Sequence, residues 1–350
     1  MAKPGRPATI SDVAALASVS VGTASKALNG RGQLRPETRR RVEEAAQRLG
    51  FQANAVARSL NSGRTYTVGM ITTDTIGRFS IPVMMGAEDA LGGGRMSVFL
   101  CDGRDDPIRE QYYLETLLGR RVDGIIVTGR RTQARPPIGV NLPVPVVYAF
   151  ISSTDPNDCS VVADEVGGAR KAVDHLLAGG RRRIAHITGP EHHNSAAVRA
   201  SATADRLAES DLELVAPPMF GEWSEAWGRL AVDMLLARGA EFDAVFCGSD
   251  QIARGAADTL RAKGRVVPDD VALVGFDNWD VMVLGSQPTL TSVDMDLEGL
   301  GRAAADLLLS AINGQPAPGR HARPCHLVVR ESTGVRTPPA SAPRHGDAAP

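Results

Sequence analysis

From residue 66 onward, apolar runs alternate with stretches whose apolar residues recur at helical spacing. The runs "TVGMIT" (67–72), "MSVFLC" (96–101), "DGIIVT" (123–128), "VPVVYA" (144–149), "RIAHIT" (183–188), "DAVFCG" (243–248) and "VALVGF" (271–276) predict buried strands. Segments such as "GGARKAVDHLLAGG" and "DQIARGAADTLRAKG" lie between them and are long enough for crossover helices. Continuous apolar strands alternating with helices predict parallel sheets covered on both faces, an α/β body. Residues before 52 show helical spacing only. Val13, Leu16 and Ala17 form one apolar face, with Ser11 as cap and Asp12 in the first turn. Ala24, Ala27 and Leu28 form a second behind Ser20, and Val42, Ala45, Ala46 and Leu49 a third, opened by Pro36 and stopped by Gly50.

Three short helices on one small core satisfy either a plain bundle or a helix-turn-helix. Ala14, Ala17 and Ala24 would let the first two helices cross closely. The outer face of the second, Val21, Gly22, Ser25, Lys26 and Asn29, is slim enough for a major groove about 12 Å wide. That places a reading helix at 20–28. Charge adds to this: residues 1–66 carry eleven Lys and Arg against four Asp and Glu, while the whole chain has a formal charge of −1. A basic head on an acidic body points to a polyanion as partner of the head. The next stretch, "NAVARSL" (54–60), has a stripe of Val56, Ala57 and Leu60 but is too short to hold a helix alone. A second copy of itself would provide the missing surface, and a protruding leucine could wedge between base steps from the minor groove.

Composition excludes several classes. A chain of 350 residues, 43% of them hydrophobic, has room for two or three domains with real cores. No run approaches the ~20 apolar residues of a membrane helix, and "MAKPGRPATISD" lacks the apolar block of a secretory signal, so a cytoplasmic protein is expected. Cys101, Cys159, Cys247 and Cys325 stand far apart, which predicts reduced, mostly buried thiols without zinc or disulfides. His192 and His193 are adjacent, so they face different ways and suit a surface loop better than a metal pair. No strand is followed by GxGxxG or by GxxxxGK[ST], and "GGG" (92–94) reads as a helix end. Asp102, Asp105 and Asp106 sit beside a turn and read as solvated acids. No enzyme and no cofactor are expected. A parallel sheet binds ligands beyond the carboxyl ends of its strands. The segments that matter are therefore "TDTIGRF", "CDGRDD", "TGPEHHNSAAVR", "GSDQ" and "FDNWD".

The stretch "TISDVAALASVSVGTASKALNG", continued by "ETRRRVEEAAQRLGFQANAVARSL", resembles the DNA-binding end of the LacI/GalR (lactose-repressor type) transcription regulators. "DPIREQYYLETLLGRRVDGIIVTG", "GGARKAVDHLLAGGRRRIAHITGP", "VVPDDVALVGFDN" and "LVVRESTG" resemble the regulatory core those regulators share with periplasmic sugar-binding proteins. The resemblance implies a homodimer, with a tetramer left open, that binds palindromic operator DNA without a membrane. It also implies a repressor of carbohydrate uptake or catabolism genes, governed by a sugar or sugar derivative; a nucleoside or sugar phosphate is the alternative effector. By position, Val21, Gly22 and Lys26 would read bases, with Ser20, Thr23, Ser25 and Asn29 in supporting or phosphate contacts. "NAVARSL" matches the hinge helix, with Leu60 intercalating and Asn54, Ala57 and Arg58 around the groove.

In the core, Phe79 matches the aromatic of the first loop, Arg199 the cleft arginine and Asp277 the aspartate that bonds sugar hydroxyls. Asp250 and Ser249 fall in a further cleft loop. Trp223 and Trp279 lie near it, with packing as their alternative role; a surface ion pair is the alternative for Arg199 and a helix cap for Asp277. The domains implied are a helix-turn-helix at 1–52, a hinge and linker at 53–65, and a two-lobed core at 66–335. Lobe 1 would take 66–164 and 293–324, lobe 2 165–292 and 325–335, and a disordered tail 336–350. Four departures stand out: Ser18 replaces a turn glycine, Gly22 has no side chain to read with, "IGRF" replaces Asn-Pro-Phe, and "RASATADRL" lacks the glycine and aromatic that follow the arginine.

Overall fold

The computed structural model of the chain describes residues 8–28, 33–51, 64–92 and 96–334. The expected hinge helix with Asn54, Ala57, Arg58 and Leu60, together with Asn29 and the 336–350 tail, lies outside the described residues. The chain divides into two compact units, 1–66 and 67–350.

In the first unit, α1 (Ile10–Leu16), α2 (Val21–Leu28) and α3 (Pro36–Arg48) enclose a core of Val13, Ala14, Ala17, Ala24, Ala27, Val42, Ala45 and Ala46. Two details correct the sequence expectation. Thr9, not Ser11, caps α1: its hydroxyl accepts from the Asp12 amide, and the Asp12 carboxylate accepts from the Thr9 amide at 2.8 Å. This reciprocal box satisfies two amides that Ser11, inside the helix, could not. Leu16 is 48% exposed, because the buried stripe runs through Val13, Ala14 and Ala17 instead. Ser20 does cap α2, accepting from the Thr23 amide at 3.1 Å. Ser18 holds φ +52° in the turn, a left-handed conformation that costs a non-glycine residue roughly 1 kcal/mol. Pro36 opens α3, and Gly50, at φ +58°, follows its end.

The second unit is built on two six-stranded sheets. The first has strand order β13-β7-β5-β3-β1-β2, using β1 (Thr67–Thr72), β2 (Ser97–Asp102), β3 (Gly124–Val127), β5 (Val146–Ala149), β7 (Cys159–Asp164) and β13 (Gly319–Pro324). The second has order β14-β12-β11-β10-β8-β9, using β8 (Ile184–Thr188), β9 (Met219–Phe220), β10 (Ala244–Cys247), β11 (Ala272–Phe276), β12 (Thr291–Asp294) and β14 (His326–Val328). A small pair, β4 (Ala134–Arg135) and β6 (Ser152–Ser153), stands apart. Every pairing in the two large sheets is parallel except β12 with β14. All seven apolar runs became strands. The chain passes between the sheets after β7, after β12 and between β13 and β14, so each sheet is assembled from separate stretches.

Helices α4 (Ser80–Ala90), α5 (Pro107–Gly119) and α11 (Leu297–Ile312) pack on the first sheet. Helices α6 (Glu165–Ala178), α7 (Asn194–Ala208), α8 (Glu225–Ala237), α9 (Asp250–Ala262) and the short α10 (Asp280–Val283) belong with the second. In each lobe one helix pair crosses at reciprocal glycines. A Cβ on Gly86 of α4 would stand 1.9 Å from the Glu298 carbonyl oxygen, and one on Gly301 of α11 would stand 2.0 Å from that of Val83. In the second lobe the equivalents are Gly228 of α8 against Ile252 O at 2.2 Å and Gly255 of α9 against Glu225 O at 2.0 Å. All four cysteines are free, with Cys247 and Cys325 buried. Among the described residues no helix is long and apolar enough to cross a membrane.

Candidate functional site

The loop after β1 is tied down by Asp74, whose carboxylate accepts the amide N–H groups of Phe79 at 2.7 Å and Ser80 at 3.0 Å. This sets the start of α4 and turns Arg78 and Phe79 toward the second sheet. Phe79 stacks on Phe150 with ring centroids 4.7 Å apart.

From the opposite side, α7 presents Arg199, 3% exposed. Its Nε and Nη2 donate to Glu165 Oε1 at 3.1 and 2.5 Å, and its Nη1 donates to the Gly248 carbonyl at 2.5 Å. The guanidinium lies 3.6 Å from the ring centroid of Phe276. A buried arginine is tolerated when its charge is paired and its donors are used, and both conditions hold here. The surface ion pair is therefore excluded for Arg199.

Beyond β11 the backbone takes φ +105° at Asp277 and +51° at Asn278, which swings the Asp277 carboxylate back across the strand ends. One oxygen accepts from Arg78 Nη2, and the other lies 3.7 Å from Arg199 Nη1. Burial pushes the Asp277 carboxyl up, while Arg78 and Arg199 pull it down. Asp277 is no helix cap: α10 begins after Trp279. Behind it, Asp250 accepts the Trp279 amide at 2.7 Å and the Ser292 hydroxyl at 2.5 Å. Burial, with Asp277 close by, pushes Asp250 up to about 8.

These walls enclose a cavity of about 370 Å³. Phe79, Arg199, Trp223, Ser249 and Asp277 all line it. Asp250 does not: its carboxyl is consumed in holding the Asp277–Trp279 loop, a correction to its expected place at the ligand. Ser249 spends its hydroxyl on capping α9, accepting from Ile252 N at 3.4 Å. Trp223 donates through Nε1 to His193 Nδ1 at 2.8 Å. His193 is thus half-buried at the head of α7 and lines the cavity, whereas a surface loop was expected of it. Trp279 lines it too.

Sequence reasoning missed Arg78, which donates to Gln251 Oε1 at 3.0 Å as well as to Asp277, and whose guanidinium stacks over Trp279 at 4.4 Å. The signal was present: the arginine stands inside the loop whose family pattern is broken. Two contacts close the far side, Thr132 Oγ1 with Ser195 Oγ at 2.7 Å and Gln133 Nε2 donating to the His192 carbonyl at 3.2 Å. A neighbouring cavity of about 530 Å³ shares Arg78, Phe79, Asp277 and Trp279 with it but is lined by none of Arg199, Trp223 and Ser249. The smaller cavity is the better candidate on that ground. Among the described residues no cluster of His, Cys, Asp and Glu could hold a metal.

In the first unit, Val21 is 47% exposed on α2, and Ser20, Gly22 and Lys26 are exposed beside it. Thr23 and Ser25 are half-buried, and the hydroxyls of Ser20 and Thr23 lie 2.9 Å apart. A helix-turn-helix with its second helix open, joined in one chain to a two-sheet body around a polar and aromatic cavity, defines a ligand-responsive DNA-binding regulator.

Comparison with known proteins specifies the class further. Residues 9–54 match the family described as "Bacterial regulatory proteins, lacI family", and residues 173–333 match the "Periplasmic binding protein-like domain". The HTH-type transcriptional regulator CelR of Thermobifida fusca is 34% identical over 345 residues, covering 95% of this chain and 100% of CelR. A solved CelR–cellobiose complex superposes with a TM-score of 0.64 at 32% identity, over 93% of this chain and 100% of that one. The Lac repressor dimer bound to operator and the anti-inducer ONPF gives a TM-score of 0.69 at 27% identity, over 94% and 99%. The chain belongs to the LacI family and is a DNA-binding transcription regulator.

Proposed function

We propose that this regulator is a cytoplasmic repressor of carbohydrate uptake or catabolism genes, working as a homodimer on a palindromic operator and controlled by a sugar in the 370 Å³ cavity. The observation that carries this reading is the convergence of Phe79, Trp223, Arg199, Ser249 and Asp277 on that cavity. Aromatic faces pack on pyranose rings, a forked guanidinium donates to paired hydroxyls, and a carboxylate with lone pairs to spare accepts from them. The solved complex of the similar CelR with cellobiose supports a sugar, and a cellobiose-sized ligand is the first to try.

On the DNA side, Val21 meets a thymine methyl and Lys26 a guanine edge, while Gly22 lets the backbone approach closely. Ser20, Thr23, Ser25 and Asn29 support these contacts or hold phosphates. The segment with Asn54, Ala57, Arg58 and Leu60 pairs with its copy and enters the minor groove. Residues 1–52 read DNA, 53–65 couple, and 66–335 bind effector and dimerise. Lobe 1 comprises 66–164 and 293–324, and lobe 2 comprises 165–292 and 325–335. The chain acts by binding, without catalysis.

Two measurements test this. Isothermal titration against a panel of sugars should give saturable binding to at least one sugar and discrimination against its epimer; no binding across the panel would refute the effector reading. In a gel-shift titration with a duplex selected by the protein from randomised palindromes, Leu60→Ala should weaken binding at least tenfold while leaving sugar affinity unchanged. Equal operator binding by both proteins would refute the hinge role.

A further inference from the structure

The cavity wall carries more guanidiniums than carboxylates. Each of its two carboxylates has one oxygen engaged, Asp74 Oδ2 by the amides of Phe79 and Ser80 and Asp277 Oδ2 by Arg78, while Arg199 Nη1 stands 3.7 Å from Asp277 Oδ1. Glu165, just behind the wall, is held by Arg199 and accepts from the Thr132 hydroxyl at 3.0 Å. Against these, four guanidiniums line the cavity: Arg78, Arg130, Arg131 and Arg199. Arg130 and Arg131 must share one carboxylate, Asp105, at 3.1 and 3.9 Å. Burial lowers the pKa of His193, which also lines the cavity, and Arg131 and Arg130 lower it further.

Arg78 is the telling residue. Its Nη1 and Nη2 are satisfied by Gln251 and Asp277, and its side chain is 13% exposed between Phe79 and Trp279. Its Nε–H is buried with no partner among the described residues. A buried donor left without an acceptor is unfavourable, and a charged one especially so. The Nε itself has no accessible surface, so an occupant reaches it only with a small movement of the side chain, but Arg78 lines the cavity, and there an ionised oxygen makes the shorter and stronger bond with a guanidinium.

We propose that the effector carries an anionic oxygen group, a carboxylate or a phosphate, which seats against Arg78 while its sugar ring lies along Phe79 and Trp223. The inference rests on the sugar reading above and narrows it from neutral sugars to acidic ones. Asp277 then acts chiefly as the anchor that fixes the Arg78 fork, and the rim arginines Arg130 and Arg131 draw the anion in.

Isothermal titration of the full chain tests this with matched pairs: glucose against glucuronate and glucose 6-phosphate, and cellobiose against cellobionate. Within at least one set the anionic member should bind at least tenfold more tightly, and whether a uronate, an aldonate or a phosphate wins identifies the group. In Arg78→Met that advantage should fall below threefold. Arg131→Gln, on the exposed rim and away from Asp277, should reduce it two- to fivefold and gives a readout even if Arg78→Met does not fold. Binding of neutral sugars alone, or an anionic advantage that survives in both variants, overturns this inference and leaves the sugar reading standing. Binding of no sugar of either kind overturns both.

Discussion

In lobe 1, helices α4 and α11 cross at Gly86 and Gly301; in lobe 2, helices α8 and α9 cross at Gly228 and Gly255, and backbone meets backbone in the same reciprocal way. Six-stranded sheets stand behind both pairs. The contributions to the cavity nevertheless differ. Those of lobe 2 are braced from behind: Arg199 by Glu165, the Gly248 carbonyl and the Phe276 ring, and the Asp277 loop by Asp250 through Trp279 and Ser292. Lobe 1 contributes loop residues, and two of them, Arg130 and Arg131, have side chains 49% and 43% exposed. Lobe 2 is therefore a plate braced from behind and lobe 1 a cover whose Arg130 and Arg131 are half-exposed while Asp74 ties down its Arg78–Phe79 loop, on scaffolds built by one rule.

The arginines of the two lobes should differ most. Replacing Arg199 with Met leaves Glu165 buried without its cation and should cost about 3–5 kcal/mol. Arg131→Met removes an exposed, loosely paired charge and should cost less than about 1 kcal/mol. Urea denaturation of the full chain measures both, and equal losses would abolish the distinction between plate and cover.

The glycine crossings should cost less. Gly86→Ala and Gly255→Ala each place a Cβ inside a carbonyl oxygen of the partner helix, so each should cost about 1–3 kcal/mol as the helices are forced apart. A loss confined to one of the two variants would show that the lobes are not built alike.

The smallest effect concerns pH and lobe 2 alone. Asp250, pushed up to about 8 from an ordinary 3.8, keeps in the folded protein a proton that the unfolded chain releases. Its contribution to stability is therefore complete below about pH 4 and is lost as pH rises through about 8. His186, buried and pushed down to about 4, works oppositely: its contribution is lost as pH falls from about 6.5 through about 4. Between pH 6.5 and 8.5 the Asp250 effect should dominate, so thermal stability should decline. Asp250→Asn preserves acceptance from the Trp279 amide and can donate to Ser292, and should flatten that decline. A wild-type melting temperature that is constant over this window would remove Asp250 as a buried, protonated brace.

Several features were legible because they are local or periodic. Ser20 and Pro36 sit where a helix start needs them, and the apolar runs all form strands, six of them buried and the seventh, β2, an exposed edge strand. The family resemblance pointed to Phe79, Arg199, Ser249 and Asp277, and nearness to the cleft segments to Trp223, five positions that the fold gathers from stretches up to about two hundred residues apart. Other features left no trace in the pattern. "GRHARP" becomes β13 only because the backbone of β7 is there to pair with it, and Thr9 takes the cap from Ser11 because Asp12 can answer it. Asp250 falls in a cleft loop by sequence, yet the Trp279 amide and the Ser292 hydroxyl occupy its carboxyl.

By itself, then, the sequence determined the alternation of strands and helices, the three-helix head and the family, since apolar spacing, caps and local motifs act within a few residues. Tertiary structure alone decided which polar groups stay free. Whether Arg78 keeps an N–H in reserve or Asp277 keeps an oxygen depends on partners brought together across 199 positions of chain, and hydrogen-bond satisfaction is a property of neighbours in space.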